Sequence, residues 1–176
     1  MEKDLRYPLG RLQITEESLS QEDRVALIEE MEEAPERLRN AVAGLSEERL
    51  GMSYRPGGWT VRQVVQHIGD SHLNGYLNFK RSLTEKQPSL ISYDQVKWVD
   101  LEDSKSGPIE PALALVDSLH RRWVVLLRSL SPDQFGRTFH HPRMGVRDLD
   151  FLLNLYAWHG RHHFAQIQSV AQGGFR

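Results

Sequence analysis

Four segments of this 176-residue chain repeat apolar residues at intervals of three and four, which is the spacing of one face of an α-helix. Together they hold roughly half of the chain, well above the ~30–35% helix of an average domain. No alternating pattern typical of a β-strand competes with them. Amphipathic helices of this number and length pack most simply as one bundle. We therefore predict an all-α fold, a four-helix bundle with long crossover connections, formed by residues 1–176 as a single domain.

Capping residues and breakers indicate where the four helices begin and end. Ser20 with Asp23, and Thr60 with Gln63, each fit a capping box at a helix start. Pro35 lies inside the first pattern and predicts a kink or a break there. The predicted helices run from after Ser20 to a stop at Gly44, over 61–84, from Pro111 to Leu130, and from about Val146 to Gln172. The connection over 85–110 is long enough to be a lid or a crossover.

Composition excludes several classes of function. The chain has 22 Lys and Arg against 24 Asp and Glu, so its formal charge is −2, which argues against a nucleic-acid partner. The absence of cysteine excludes disulfides, thiolate zinc sites, iron–sulfur clusters and a cysteine nucleophile. No apolar stretch approaches a membrane span, and the charged N-terminus lacks the apolar core of a signal peptide. We expect a cytoplasmic protein without a membrane partner.

Eight histidines are the strongest chemical signal. His159 and His163 are four residues apart, so they lie on one face of the fourth helix, among apolar residues that should face the bundle interior. Buried imidazoles need hydrogen-bond partners or a metal, and two at this spacing can bind one ion. A third ligand could come from His67, His72 or His120. Three histidines with an open position are typical of a catalytic zinc site.

A helical wheel does not decide between these three candidates. His72 falls within the apolar cluster of the second helix, whereas His67 lies roughly 120° away at ~100° per residue, so the wheel favours His72. His120 lies on the apolar stripe of the third helix and fits equally well. His162 falls on a different stripe from His159 and is interpreted as a packed residue or a neighbour of the ligands.

Several motifs are similar to those of one known family, the YfiT branch of the DinB-like superfamily. The similarity extends over nearly the whole chain, and the run Gly57-Gly58-Trp59-Thr60-Val61-Arg62-Gln63 is specific. The other matching motifs are Tyr7-Pro8-Leu9-Gly10, Asp70-Ser71-His72, His120-x-Arg122-Trp123 and Trp158-His159-x-x-His162-His163.

The resemblance implies one divalent metal ion per subunit, with zinc expected and nickel or another divalent ion as the alternative. By motif position its ligands are His67, His159 and His163, which replaces the preference of the wheel for His72. Members of the family are described as cytoplasmic, homodimeric, metal-dependent hydrolases, and some relatives are bacillithiol S-transferases. Relatives tend to have further histidines where this chain has Arg161 and Gln166, so the roles of those histidines need not carry over.

Three functions follow from these observations. The first is a metal-dependent hydrolase in which the ion activates water; the second is a metal-dependent transferase that joins a low-molecular-weight thiol to an electrophile. The third is a non-enzymatic helical dimer that the metal only braces. For the enzymes we expect a small-molecule substrate, while the catalytic acid or base stays unassigned. Gln63 and Asp70 lie about one turn from His67 and are candidates to hold an imidazole nitrogen, although a solvated surface role suits Asp70 better.

Overall fold

Eight helices and a β-hairpin make up the computed structural model, which describes residues 4–14 and 18–173. Four helices are long and the other four are single turns in the connections. In chain order the elements are α1 (Gln21–Val42), α2 (Glu47–Leu50), α3 (Val61–Thr84), α4 (Gln95–Val99), α5 (Glu102–Lys105), α6 (Glu110–Arg128), α7 (Pro132–Phe135), β1 (Thr138–His141), β2 (Gly145–Asp148) and α8 (Leu149–Ala171).

The capping boxes predicted for the first two long helices are both present. Ser20 and Asp23 cap α1, and Thr60 and Gln63 cap α3, whose bounds are those predicted from the sequence. The prediction of a break at Pro35 was wrong, because α1 continues through that residue to Val42. A proline inside a helix removes one backbone N–H but does not have to end the helix when tertiary packing holds both sides.

The long helices form the four-helix bundle with crossover connections that the sequence predicted. Helix α1 packs against α6 and α8, and α3 packs against the same two helices. Helices α1 and α3 are therefore diagonal to each other, as are α6 and α8, and the chain crosses the bundle twice. None of the helices in the described part of the chain is long and apolar enough to cross a membrane.

A two-stranded antiparallel hairpin precedes the last helix and was not predicted. Strand β1 pairs with β2, with Thr138 opposite Asp148. The fourth helix consequently begins at Leu149 rather than at Val146, and Asp148 caps it by accepting from the Phe151 N–H at 2.9 Å. Strands of four residues are too short to show a convincing alternation, which explains why the pattern of the sequence missed them.

Two apolar clusters fill the bundle, and a layer of histidines lies between them. One cluster contains Phe79, Trp123 and Leu152. The other contains Leu38, Val64 and Ile167. The layer between them is formed by buried or half-buried imidazoles on three of the four long helices: His67 and His72 on α3, His120 on α6, and His159 and His163 on α8.

Candidate metal centre

Three imidazoles converge on one point between α3 and α8. The Nε2 atom of His159 lies 3.1 Å from Nε2 of His67 and 3.2 Å from Nε2 of His163. Ligand atoms of all three residues lie within 4.8 Å of one another. Tetrahedral ligands at ~2.0–2.1 Å from a zinc ion are separated by about 3.3 Å. The observed separations therefore fit three nitrogen ligands of one divalent ion.

Burial keeps these imidazoles neutral, which is the form that binds metals. His67 and His163 are only 2% and 6% exposed. Burial lowers the pKa of His67 from 6.5 to about 4. Burial and the neighbouring imidazoles also hold the pKa values of His159 and His163 well below the ordinary histidine value. A neutral imidazole offers a nitrogen lone pair, so the electrostatics of the cluster suit a cation.

The second ring nitrogen of each imidazole has a different environment. Nδ1 of His159 lies 3.1 Å from Nε2 of His72. Nδ1 of His163 lies 2.8 Å from the Gln166 side-chain oxygen, so it donates a hydrogen bond there. Nδ1 of His67 is buried without a hydrogen-bond partner in the described structure. His67 instead packs against the Trp59 ring, with centroids 4.8 Å apart.

His72 and His120 are part of the histidine layer but not of the converging cluster. Both are 1% exposed, and their rings stack with centroids 4.9 Å apart. Nε2 of His72 contacts Nδ1 of His159, so His72 does not approach Nε2 of His159, the atom that faces His67 and His163. The preference of the helical wheel for His72 as the third histidine was wrong, because α3 packs against both α6 and α8 and is buried on more than one face.

The three imidazoles form the base of a cavity of about 400 Å³ that is open to solvent. Trp59 flanks it, and Arg6 and Arg55 are the charged side chains among the described residues that line it. The remaining lining residues are Tyr7, Tyr54, Gly57, Gln95, Val96, Trp158, His162 and Gln166. All three candidate ligand residues therefore line a cavity large enough for a small molecule.

Gln166 is a polar residue of the site whose role sequence reasoning left in doubt. Its side-chain nitrogen donates to the Arg6 carbonyl at 3.1 Å and contacts Nε2 of His162 at 3.0 Å. Its oxygen is therefore left to accept from His163. His162 is buried and stacks on Trp158, with centroids 4.7 Å apart, as a packed neighbour of the ligand pair. Arg161 pairs with Glu30 of α1 and does not line the cavity.

Neither residue proposed to hold a nitrogen of His67 does so. Gln63 caps α3 and donates to the Val99 carbonyl at 2.8 Å. Asp70 is half-buried, and burial followed by repulsion from Asp103 raises its pKa to about 6. Ser71, which sequence reasoning did not single out, places its hydroxyl oxygen 3.4 Å from Nε2 of His159. Its sequence signals were its position one turn after His67 and its place in the Asp70-Ser71-His72 motif.

This bundle, with three neutral imidazoles at the base of an open cavity, defines a helical protein with a site suited to a divalent metal. A model of the DinB superfamily matches residues 30–167, and the chain belongs to that superfamily. It is 47% identical over 174 residues to a protein of Bacillus mycoides (strain KBAB4) named "Putative metal-dependent hydrolase", with 97% of each chain covered. A protein of Bacillus cereus (strain B4264) with the same description is 47% identical over 171 residues, and 95% of each chain is covered.

A solved structure has the same fold. YfiT from Bacillus subtilis is described as "a probable metal-dependent hydrolase with an unusual four-helix bundle topology". It is 44% identical to this chain, covers 96% of both chains and superposes with a TM-score of 0.92. The family resemblance deduced from the motifs is therefore confirmed, together with the bundle fold.

Proposed function

We propose that this protein is a metal-dependent enzyme, and that His67, His159 and His163 hold one divalent ion, zinc, through their Nε2 atoms. The observation that carries the proposal is the convergence of three neutral Nε2 atoms at the base of an open cavity. An ion held by three imidazoles keeps an open position, where it can acidify water or a thiol and polarise a substrate oxygen.

The side chains around the cavity select and orient a small-molecule substrate. Trp59 supplies an aromatic wall next to His67 and His163, with centroids 4.8 and 6.4 Å away. Arg55 places positive charge on the cavity lining, whereas the Arg6 guanidinium is paired with Asp4 at 3.0 Å. The charge of Arg55 favours neutral or anionic substrates over cations.

Hydrolysis is the first candidate reaction, and it rests on the descriptions of the relatives. Thiol transfer is the second, and one observation favours it. Among the described residues, no carboxylate lines the cavity or hydrogen-bonds to the three imidazoles. An incoming nucleophile must then lose its proton without a carboxylate base. A thiol, with a pKa of about 8.5, is partly ionised near neutral pH before it binds the ion, whereas water depends on the ion to lower its pKa from 15.7 to about 7.

In the transfer reaction the thiol proton leaves to solvent and the sulfur forms a new bond to an electrophilic carbon. The leaving group departs with the electron pair of the bond that breaks. Because the chain has no cysteine, the sulfur must come from the substrate. A metal that only braced the bundle would be expected in a closed site, so the open cavity favours an enzyme.

The metal is tested by measuring the ion content of protein purified without chelators. We expect about one zinc per chain in the wild type and a large loss in His163→Ala. His140→Ala is the matched control, because His140 is exposed on β1 and belongs neither to the cluster nor to the cavity lining. Unchanged metal content in His163→Ala would contradict the proposed ligands.

The reaction is tested with metal-loaded protein and two sets of substrates. One set combines low-molecular-weight thiols with a chlorinated or epoxide electrophile, and the other contains simple esters and amides. Product that requires the thiol and is lost in His159→Ala would support transfer. Hydrolysis without a thiol, also lost in His159→Ala, would support the hydrolase and exclude the need for a thiol.

A further inference from the structure

A backbone carbonyl of α1 is free to bind a histidine of α6. In an α-helix the carbonyl of residue i accepts from the N–H of residue i+4, and the residue four positions after Met31 is Pro35, which has no N–H. The Met31 carbonyl oxygen instead lies 2.6 Å from Nδ1 of His120, which is buried. Because Pro35 has no N–H, the Met31 carbonyl oxygen remains available to accept a hydrogen bond from His120.

From that carbonyl, a series of three hydrogen-bonded imidazoles leads to the cluster of His67, His159 and His163. Nε2 of His120 lies 2.8 Å from Nδ1 of His72. Nε2 of His72 lies 3.1 Å from Nδ1 of His159. This hydrogen-bond chain therefore links the four long helices, with Met31 on α1, His120 on α6, His72 on α3 and His159 on α8.

The carbonyl fixes the direction of every hydrogen bond in this chain. A carbonyl oxygen can only accept, so His120 must carry its proton on Nδ1, and its Nε2 is then an acceptor. His72 must donate from Nδ1 to that nitrogen, which leaves its own Nε2 as an acceptor. His159 must then donate from Nδ1, and its Nε2 keeps a free lone pair. That lone pair is the one directed at His67 and His163.

We propose that His72 and His120 are positioning residues, which use the Met31 carbonyl as an anchor to hold His159 in the tautomer whose Nε2 can bind the metal. The inference rests on the proposed metal site. Without the chain, His159 could protonate Nε2 and donate to His67, 3.1 Å away, which would remove the ligand lone pair. If His72 and His120 served only to satisfy polar groups in the core, they would need hydrogen bonds, but those hydrogen bonds would not have to run in one fixed direction.

The second ligand on α8 is set in the same way by a shorter chain. The Arg6 carbonyl accepts from the Gln166 nitrogen, so the Gln166 oxygen faces Nδ1 of His163. His163 therefore also carries its proton on Nδ1 and keeps Nε2 free. His67 has no such partner on Nδ1 within residues 4–14 and 18–173, so among the three it is the residue free to change tautomer when a metal binds.

The tautomers can be read in metal-free protein by long-range proton–nitrogen NMR on ¹⁵N-histidine-labelled samples. We expect Nδ1–H and unprotonated Nε2 in His120, His72 and His159. His159 protonated at Nε2 in the wild type would overturn the proposal, whether or not the protein binds metal. If the tautomers are as expected but no metal binds, the proposed function fails and the hydrogen-bond chain stands.

Two substitutions of His72 distinguish an effect of hydrogen-bond direction from an effect of core packing. His72→Leu removes the acceptor for His159, so we expect His159 to populate the Nε2–H tautomer and zinc affinity to fall ~10–100-fold. His72→Gln keeps one donor and one acceptor, so we expect it to restore Nδ1–H at His159 and most of the affinity. An unchanged tautomer and unchanged affinity in His72→Leu would overturn the proposal.

A substitution outside the histidine layer tests the anchor. Pro35→Ala supplies an N–H where the helical pattern directs one to the Met31 carbonyl. Because the carbonyl must then be shared, we expect the resonance of the His120 Nδ1 proton to move upfield, as its hydrogen bond weakens. A His120 resonance identical to that of the wild type would contradict the role given to Pro35. This readout does not depend on His72→Leu folding normally.

Discussion

Acidification of the metal-free protein should destabilise it through its buried histidines. Burial lowers the pKa values of both His67 and His162 from 6.5 to about 4. Between pH 6.5 and about pH 4, these histidines bind protons in the unfolded chain but not in the folded chain. The free energy of unfolding must therefore fall as the pH falls from 6.5 towards 4. The stabilisation is fully present above pH 6.5.

The expected loss is large compared with the stability of an ordinary domain. At about 1.4 kcal/mol per pKa unit, the fall from 6.5 to about 4 corresponds to roughly 3 kcal/mol for His67. His162 acts in the same direction, with a smaller contribution because solvent screens its charge. His72, His159 and His163 act in the same direction, since their pKa values also lie well below the ordinary one. Total stabilities are typically about 5–15 kcal/mol, so the metal-free protein should lose a measurable share of its stability between pH 6.5 and 4.

Urea unfolding of chelator-treated protein at several pH values measures this effect. His162→Gln removes one titrating group, so the slope between pH 6.5 and 4 should decrease by about 1.4 kcal/mol per pH unit at most. His140→Gln, at an exposed position, serves as the matched control for the replacement of a histidine by glutamine. A free energy of unfolding that stayed constant from pH 6.5 to 4 would refute the reasoning.

Two further predictions concern the packing that supports the site. Asp150→Ala should cost about 3–5 kcal/mol in urea unfolding, because it leaves the buried Arg24 guanidinium without the carboxylate that it contacts twice at 2.7 Å. The double variant Arg24→Met with Asp150→Leu should recover most of that loss, and a double variant as unstable as the single one would contradict this account. Gly75→Ala should destabilise by about 1–3 kcal/mol or more, since its Cβ would lie 2.3 Å from Cζ of Tyr156. Gly69→Ala on the same helix meets no atom closer than 3.6 Å and should be neutral or stabilising, so equal losses in the two variants would argue against close packing at Gly75.

The bounds of the first long helices could be predicted because their signals are local. Ser20 with Asp23, and Thr60 with Gln63, identify helix starts within four residues of sequence. The hairpin before α8 could not, because its strands are four residues each and are stabilised by pairing with one another. Pro35 was interpreted from intrinsic propensity alone, and tertiary packing overrides it.

The candidate site was predictable in part for a similar reason. His159 and His163 are neighbours on one helix face, so spacing alone brings them together. His67 comes from another helix, and a wheel with one buried face could not select it, because α3 is covered by α6 and α8. Only the position of His67 in a family motif identified it as the third candidate ligand. The Met31 to His120 contact joins residues 89 positions apart, and no sequence pattern reports the direction of such hydrogen bonds.

X-ray absorption of the zinc-loaded protein, combined with a crystal structure of the same sample, tests the central claim most directly. We expect one zinc ion bound by Nε2 of His67, His159 and His163 at ~2.0–2.1 Å, with an exchangeable oxygen or thiol ligand on the side of the cavity. Zinc bound elsewhere, coordinated through Nδ1 of His159, or closed off by a fourth protein ligand would contradict it.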